Sequence, residues 1–253
     1  MTLANFSKAA LFACLFPGFL LLGADDETAP PVRRLTIGLH VMYFPTGLVN
    51  TRSVLVITSN TNPVQQYNYT ASSDSPKWGP GAMAEYRLTH HWALAADIDF
   101  HHVDYQESAE ILTGYNSSTT GGDNRPVSYV NTYSQVNYYE IPLMARYYGF
   151  WSHGWKRRIF FAGGLEWRHV GKIRTGNDYT YPSGATDYNE NPAIPNRVND
   201  VGAVVGLGMR FVDEFHIRVT PEVRFTRWEA PSLQGFAYTA VMNELQTGLS
   251  LSF

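Results

Sequence analysis

Charged side chains recur in this chain at two-residue spacing inside otherwise apolar stretches: Glu85 and Arg87, Asp97 and Asp99, Glu166 and Arg168, Glu222 and Arg224. Arg218 extends the last set, and Glu140, Arg146, Arg210 and Glu244 stand in stretches of the same kind. Seven carboxylates thus accompany six guanidinium groups with no lysine among them, and His40, His101 and His216 fall in comparable positions. The planar fork of arginine suits bidentate carboxylate pairing in a confined, partly dehydrated space. Such a set makes either a salt-bridged polar core or a narrow ion path lined by the same charges, and the first is the expected one.

Other groupings point to less. His101-His102-Val103-Asp104 has the residue types of a metal site, but neighbours on a strand point to opposite faces, so His101 and His102 cannot share an ion without a bulge. A Ser/His/acid set would need a serine near a histidine, and no nucleophile-elbow motif is present. Gly206-x-Gly208 falls inside an extended segment with no phosphate-cradling helix after it, so it reads as room for large neighbours, and Gly163-Gly164 reads as packing or strand bending. No catalytic residue, metal ligand or cofactor follows from these groupings, and the chain is read as non-enzymatic.

The elements that would carry the charges alternate with period two. Eight segments of about ten residues, 35–43, 78–88, 92–101, 138–147, 159–168, 200–211, 215–226 and 241–253, place apolar side chains on one face and small or charged ones on the other. In the first, Leu35, Ile37, Leu39, Val41 and Tyr43 oppose Thr36, Gly38, His40 and Met42. In the last, Val241, Leu245, Leu249, Leu251 and Phe253 oppose Met242, Glu244, Gln246, Gly248, Ser250 and Ser252. A mixture of Gly, Ala, Ser and charge suits a polar lumen better than the solvated face of a sandwich.

Composition agrees. The chain has 253 residues, 44% apolar and only 16% charged, with net charge −3 and mean hydropathy −0.22. Charge at that level lies well below the roughly 25% of ordinary soluble domains, while no mid-chain run approaches the ~18 apolar residues of a membrane helix. The aromatic content of 14% excludes a disordered chain, and the near-neutral balance without Lys-rich runs excludes nucleic acid as a partner.

Connections alternate as well. Long links, about 45–77, 105–132, 171–199 and 229–240, alternate with short turns at His90-His91, 149–157 and Asp213-Glu214. That alternation and an even strand count would put both termini in the periplasm. Segments 53–57 and 65–70 could pair as a further hairpin, giving ten strands or extending a hairpin above the membrane, and eight is the expected number. Tyr43, Trp78, Trp92, Tyr147, Trp151, Trp167 and Trp228 are candidates for interfacial aromatic girdles. Outer links rich in Tyr, Asn, Ser and Gly, such as Tyr67-Asn68-Tyr69, Tyr115 to Ser118, and Tyr179, Tyr181 and Tyr188, have the chemistry of adaptable recognition surfaces.

Lys8, the apolar run Ala9 to Leu22 and Gly23-Ala24 read as a signal peptide over 1–24, removed after Ala24. Residues 25–34 then form a short periplasmic lead and 35–253 the barrel domain. Cys14, the sole cysteine, leaves with the signal, so disulfides and thiol chemistry are excluded from the mature chain.

Tyr138-Tyr139-Glu140-Ile141-Pro142-Leu143-Met144-Ala145-Arg146-Tyr147-Tyr148 resembles a strand of the small bacterial outer-membrane β-barrel proteins, the porin-like, OmpA-like barrel family. Val205 to Phe211 and Pro221 to Trp228 resemble that family's penultimate strands. The closing Gln246, Gly248, Leu251 and Phe253 are similar to its assembly signal, in which a polar residue, a Gly, an apolar residue and a terminal aromatic recur at fixed spacing. The resemblance spans roughly Leu35 to Phe253. It implies an eight-stranded antiparallel up-and-down barrel in a Gram-negative outer membrane, in contact with its lipid and inserted by the barrel-assembly machinery. It implies a structural or porin-like role, or else a loop-mediated adhesin or surface receptor with an extracellular ligand; a lipid-modifying enzyme is the least expected. The family's two-domain members carry a peptidoglycan-binding domain after the barrel, and no such cell-wall tether is expected here.

Overall fold

The computed structural model describes residues 34–58, 63–114, 125–148, 158–190, 193–212 and 217–253. The signal segment 1–24, the lead through residue 33, the turns at 149–157 (with Trp151) and 213–216 (with His216), and Tyr115 to Ser118 lie outside the described residues.

The described residues form fifteen strands: β1 (Leu35–Tyr43), β2 (Val49–Thr51), β3 (Val54–Thr58), β4 (Gln65–Ser72), β5 (Trp78–Arg87), β6 (Trp92–Thr113), β7 (Val127–Tyr147), β8 (Ile159–Val170), β9 (Arg174–Thr180), β10 (Thr186–Glu190), β11 (Asn199–Met209), β12 (Phe211–Val212), β13 (Arg218–Trp228), β14 (Tyr238–Ala240) and β15 (Asn243–Ser252). Eight of them close a ring of antiparallel neighbours, β1-β5-β6-β7-β8-β11-β13-β15 and back to β1. The closing seam pairs Leu39 with Leu251 and Tyr43 with Thr247. Closure removes the unpaired edges that an open sheet would expose.

The barrel wall follows the alternation in the sequence. Leu39, Ile98, Leu143, Leu165, Val205 and Leu251 are exposed on the outside, while Thr36, His40, Met83, Asp97, Glu140 and Arg224 are buried within. With β1 at 9 residues, a rise of ~3.3 Å and a tilt of ~40° give a belt about 23 Å tall, which matches the apolar band of membrane barrels. Aromatic pairs mark its edges: Trp92 against Tyr147 at 4.8 Å on the lower rim, and Phe100 against Tyr139 at 5.5 Å on the upper. The rung above the upper rim is polar and cross-linked, with His102–Asn137 at 2.7 Å, His169–Asn199 at 2.9 Å and Arg227–Asn243 at 2.5 Å.

Above that collar the link expected over 105–132 is mostly strand. β6 runs 22 residues and β7 21, paired as far as Leu112 and Val127. Apolar alternation stops at Phe100 and Tyr139 because both faces beyond them meet water or other chain segments, and period two goes silent although the backbone continues. The hairpin over 53–57 and 65–70 forms as β3 and β4, docks on β6 above the belt and leaves the barrel at eight strands. β9 and β10 dock likewise on β7, giving an upper sheet β3-β4-β6-β7-β9-β10.

Two expected placements are corrected. Trp228 is not a girdle residue: it points into the barrel and is fully buried. The register of β13 already turns it inward two residues after Thr226. Its room comes from Gly202 on the opposite strand, where an added Cβ would lie 3.0 Å from the indole. Val241 is buried rather than lipid-facing, because β15 begins only at Asn243.

Candidate functional site: a sealed charge lattice

The inward faces of the eight barrel strands bring the alternating charges together in two layers. In the lower layer Arg146 bridges two strands' acids, donating to Glu85 at 3.0 Å and Glu222 at 2.7 Å. Glu85 also accepts from Arg210 at 2.6 Å and from the Tyr148 hydroxyl at 2.8 Å. Arg224 donates to Glu222 at 2.8 Å and to Asp97, and His40 pairs with Asp99. Gly206 stands beside this layer, with an added Cβ only 3.1 Å from Glu222, so its small size leaves the carboxylate its place. Arg87, half-buried at the lower mouth, lies 3.8 Å from Glu85, and Arg218 donates to Thr36.

Arg168 organises the upper layer. Its guanidinium donates to Glu140 at 2.5 Å and to Glu244, and stacks 3.8 Å over Trp228 and 4.8 Å over Tyr138. Glu140 also meets His101 at 2.9 Å, and Glu244 accepts from the Trp228 indole at 2.9 Å and the Gln246 amide at 2.7 Å. Glu166 accepts from Thr226 at 2.6 Å. The Arg168 guanidinium and the Glu140 and Glu244 carboxylates are therefore mutually paired, the condition under which buried charges are tolerated, whereas the Oε1 of Glu166 has no partner among the described residues.

An apolar cluster closes the upper mouth. Phe44, Leu48, Val49, Leu233 and Ala240 from the connections pack on Met42, Val103, Tyr105, Val136, Tyr138, Val170 and Ile173 of the wall. Phe44 sits edge-on to His101 at 4.3 Å, and the Tyr138 hydroxyl bonds Ser232 at 3.0 Å, so the cap is tied to the charge lattice beneath it. Beneath that cap Glu85, Asp97, Asp99, Glu140 and Glu244 are each 0% exposed. Outside the belt, Glu107 accepts from the Ala237 amide at 2.7 Å, and burial by that turn raises its carboxyl above the ordinary range.

The residues nominated for the assembly signal divide between two environments. Gln246 and Gly248 point inward, Gln246 into the upper charge layer and Gly248 against Met42, whereas Leu251 and Phe253 lie exposed on the outer wall. His101 and His102 face opposite sides of β6, the first toward Glu140 and the second toward Asn137 and Asp104. Thr226 faces inward as its segment's alternation predicts, whereas Tyr148 and the Phe44 cap were missed from sequence. Register alone could have turned Tyr148 inward, since it continues the parity of Arg146, but nothing in period two foretells a cap built from connections. Tyr67 and Tyr69 are half-buried on the inner face of β4 and stacked on each other, with Tyr69 also stacked on Phe236, not free in a loop.

No family model matches this chain, and no curated protein matches it. Among solved structures it is similar to Ail, the attachment invasion locus protein of Yersinia pestis, in complex with the heparin analogue sucrose octasulfate, at 8% identity and a TM-score of 0.34. A second structure of Ail from the same organism gives 9% and 0.29, and in both the match covers 87% of this chain and 97% of the other. Among the described residues no helix is long and apolar enough to cross a membrane. The closed ring of eight antiparallel strands, with an apolar outer wall and a charged interior, has the fold of the small outer-membrane β-barrels.

Proposed function

We propose that this chain is a non-enzymatic integral protein of a bacterial outer membrane, whose sealed barrel anchors an extracellular recognition sheet. The observation that carries the reading is the complete burial of the lumen carboxylates beneath an apolar cap. Charges that line a conducting path stand in water, whereas these stand in a lattice of mutual bonds. The structural role is therefore favoured over the porin-like one. Planar-bilayer conductance of refolded protein, with the folded barrel verified by heat-dependent gel migration, tests it. A folded, silent barrel is the expected result, and steady channels whose conductance changes with Arg146→Gln or Glu140→Gln would overturn it.

The recognition role is supported by the upper sheet, where Tyr129, Tyr133 and Tyr188 are exposed. Asn131 and Asp178 pair across the strands beside them, joining aromatic area to adaptable polar groups. The extracellular ligand would be held by this sheet, and loss of cell-surface capture on replacing the three tyrosines, with barrel folding unchanged, is the expected outcome.

In this reading residues 1–24 are a cleaved signal peptide, 25–34 a periplasmic lead and 35–253 the barrel. Both termini are periplasmic in the same reading, which is supported by the position of Leu35 and Phe253 together at the end opposite the long strands. The barrel-assembly machinery would read Leu251 and Phe253 on the outer wall of the closing strand, with Gln246 and Gly248 setting its inner face. Phe253→Ser is expected to lower outer-membrane levels, measured by fractionation.

A further inference from the structure

β8 and β9 lie end to end along β7, but one residue does not fit the register. Val170 stands opposite Tyr138 and Arg174 opposite Gln135, so Gly171 to Ile173 span an interval that β7 covers with Val136 and Asn137 alone. That is a β-bulge, and it inverts the parity of the strand. In β8 the even-numbered Arg168 and Val170 point inward. Continued unbroken, the alternation would drive Lys172 and Arg174 into the apolar cap. Instead Ile173 and Thr175 are buried, and Lys172 and Arg174 stand exposed on the outer wall.

There they border a cleft of about 230 Å³ whose other walls include His102, Gln135, Asn137 and Tyr139. Its depth is set by Tyr139, which belongs to the upper aromatic rim, and by His102–Asn137, the polar rung directly above. The cleft therefore opens where lipid headgroups would surround the barrel. No acid lines it, and Asp104, one rung higher, is engaged by His102 at 3.1 Å. Neither Lys172 nor Arg174 forms an ion pair among the described residues. The Oδ1 of Asn137 is occupied by His102 Nδ1 at 2.7 Å, which leaves the amide N–H groups of Asn137 to donate elsewhere.

We propose that this cleft binds the phosphate of an anionic lipid in the surrounding outer leaflet. Arg174 would hold the phosphate through its planar fork and Lys172 as a mobile point charge, while Tyr139 packs on the lipid's apolar part. The inference rests on the membrane reading above. Wild type and a Lys172→Gln/Arg174→Gln variant are refolded into phosphatidylcholine vesicles doped with phosphorylated lipid A or with its dephosphorylated form, and retained lipid is counted by mass spectrometry after mild extraction. Retention of the phosphorylated form is expected to fall at least about tenfold in the variant, which loses both charge-assisted contacts, with no change for the dephosphorylated form. Equal retention by both proteins overturns the proposal, as does a phosphorylated-lipid signal abolished by millimolar inorganic phosphate, which would mark a free-anion site. Heat-dependent gel migration is read in parallel: if wild type fails to insert at all, it is the membrane reading that falls.

Discussion

The lower and upper halves of β6 belong to one unbroken strand yet obey different rules. From Trp92 to Phe100 each outward side chain is apolar and each inward one is Ala or Asp, because one side meets lipid-like surroundings and the other a closed polar lattice. From His102 to Glu110 the outward set becomes His, Asp, Gln, Ser and Glu, and the strand is held by flanking hairpins rather than by a lumen. The lower half derives its order from charges that cannot leave, and the upper half from backbone pairing with its neighbours and from Val103 and Tyr105 buried in the cap. The buried charge lattice is therefore confined below, and freedom at the outward positions above.

The sharpest way to break this contrast is to orphan a charge below. Glu140→Ala leaves Arg168 and His101 without their shared carboxylate, and breaking one partner of such a buried pair costs about 3–5 kcal/mol; urea unfolding in detergent micelles should report that loss. Trp228→Phe keeps the stacking on Arg168 but removes the donor to Glu244, with a loss of about 1.5–3 kcal/mol expected for a bond to a charged group. Equal stability of Trp228→Phe and wild type would mean that the indole serves packing alone.

Smaller effects are expected above the collar. The raised Glu107 carboxyl favours its protonated form in the folded state, so its contribution is fully present below the ordinary value of 4.5 and fades as pH rises through the raised folded value. Amide exchange over 232–240 should therefore quicken with pH beyond its intrinsic rate just above that value, and Glu107→Gln should flatten the extra dependence. Least of all, Glu190→Ala on the fully exposed β10 should change unfolding by no more than about 0.5 kcal/mol. A loss as large as that of Glu140→Ala would erase the distinction between the halves.

How far the sequence could be read follows the same division. The eight barrel strands and the inward parity of their charged residues were legible because the outer wall and the lumen impose opposite demands on successive residues. Trp228 was misplaced when its residue type was weighed above the parity of Thr226 and Arg224 beside it. The upper sheet was largely illegible: Gln106, Ser108 and Asn131 are polar whichever face they occupy, so alternation carries no information there. The Phe44–Leu233 cap was hidden for another reason, since it joins connections remote in sequence that no local spacing relates.

The seam between β1 and β15 carries a kinetic consequence. Leu39 cannot meet Leu251, nor Tyr43 meet Thr247, until the whole intervening chain has been delivered, so the ring cannot be completed in stages from the front. Any partly built sheet must keep two ribbons of unsatisfied amides and carbonyls waiting at its borders, which is hazardous in lipid and an invitation to pair with other chains in water. A catalyst that occupies those borders and releases them only when the two ends are side by side would convert a long, exposed wait into a single exchange of partners.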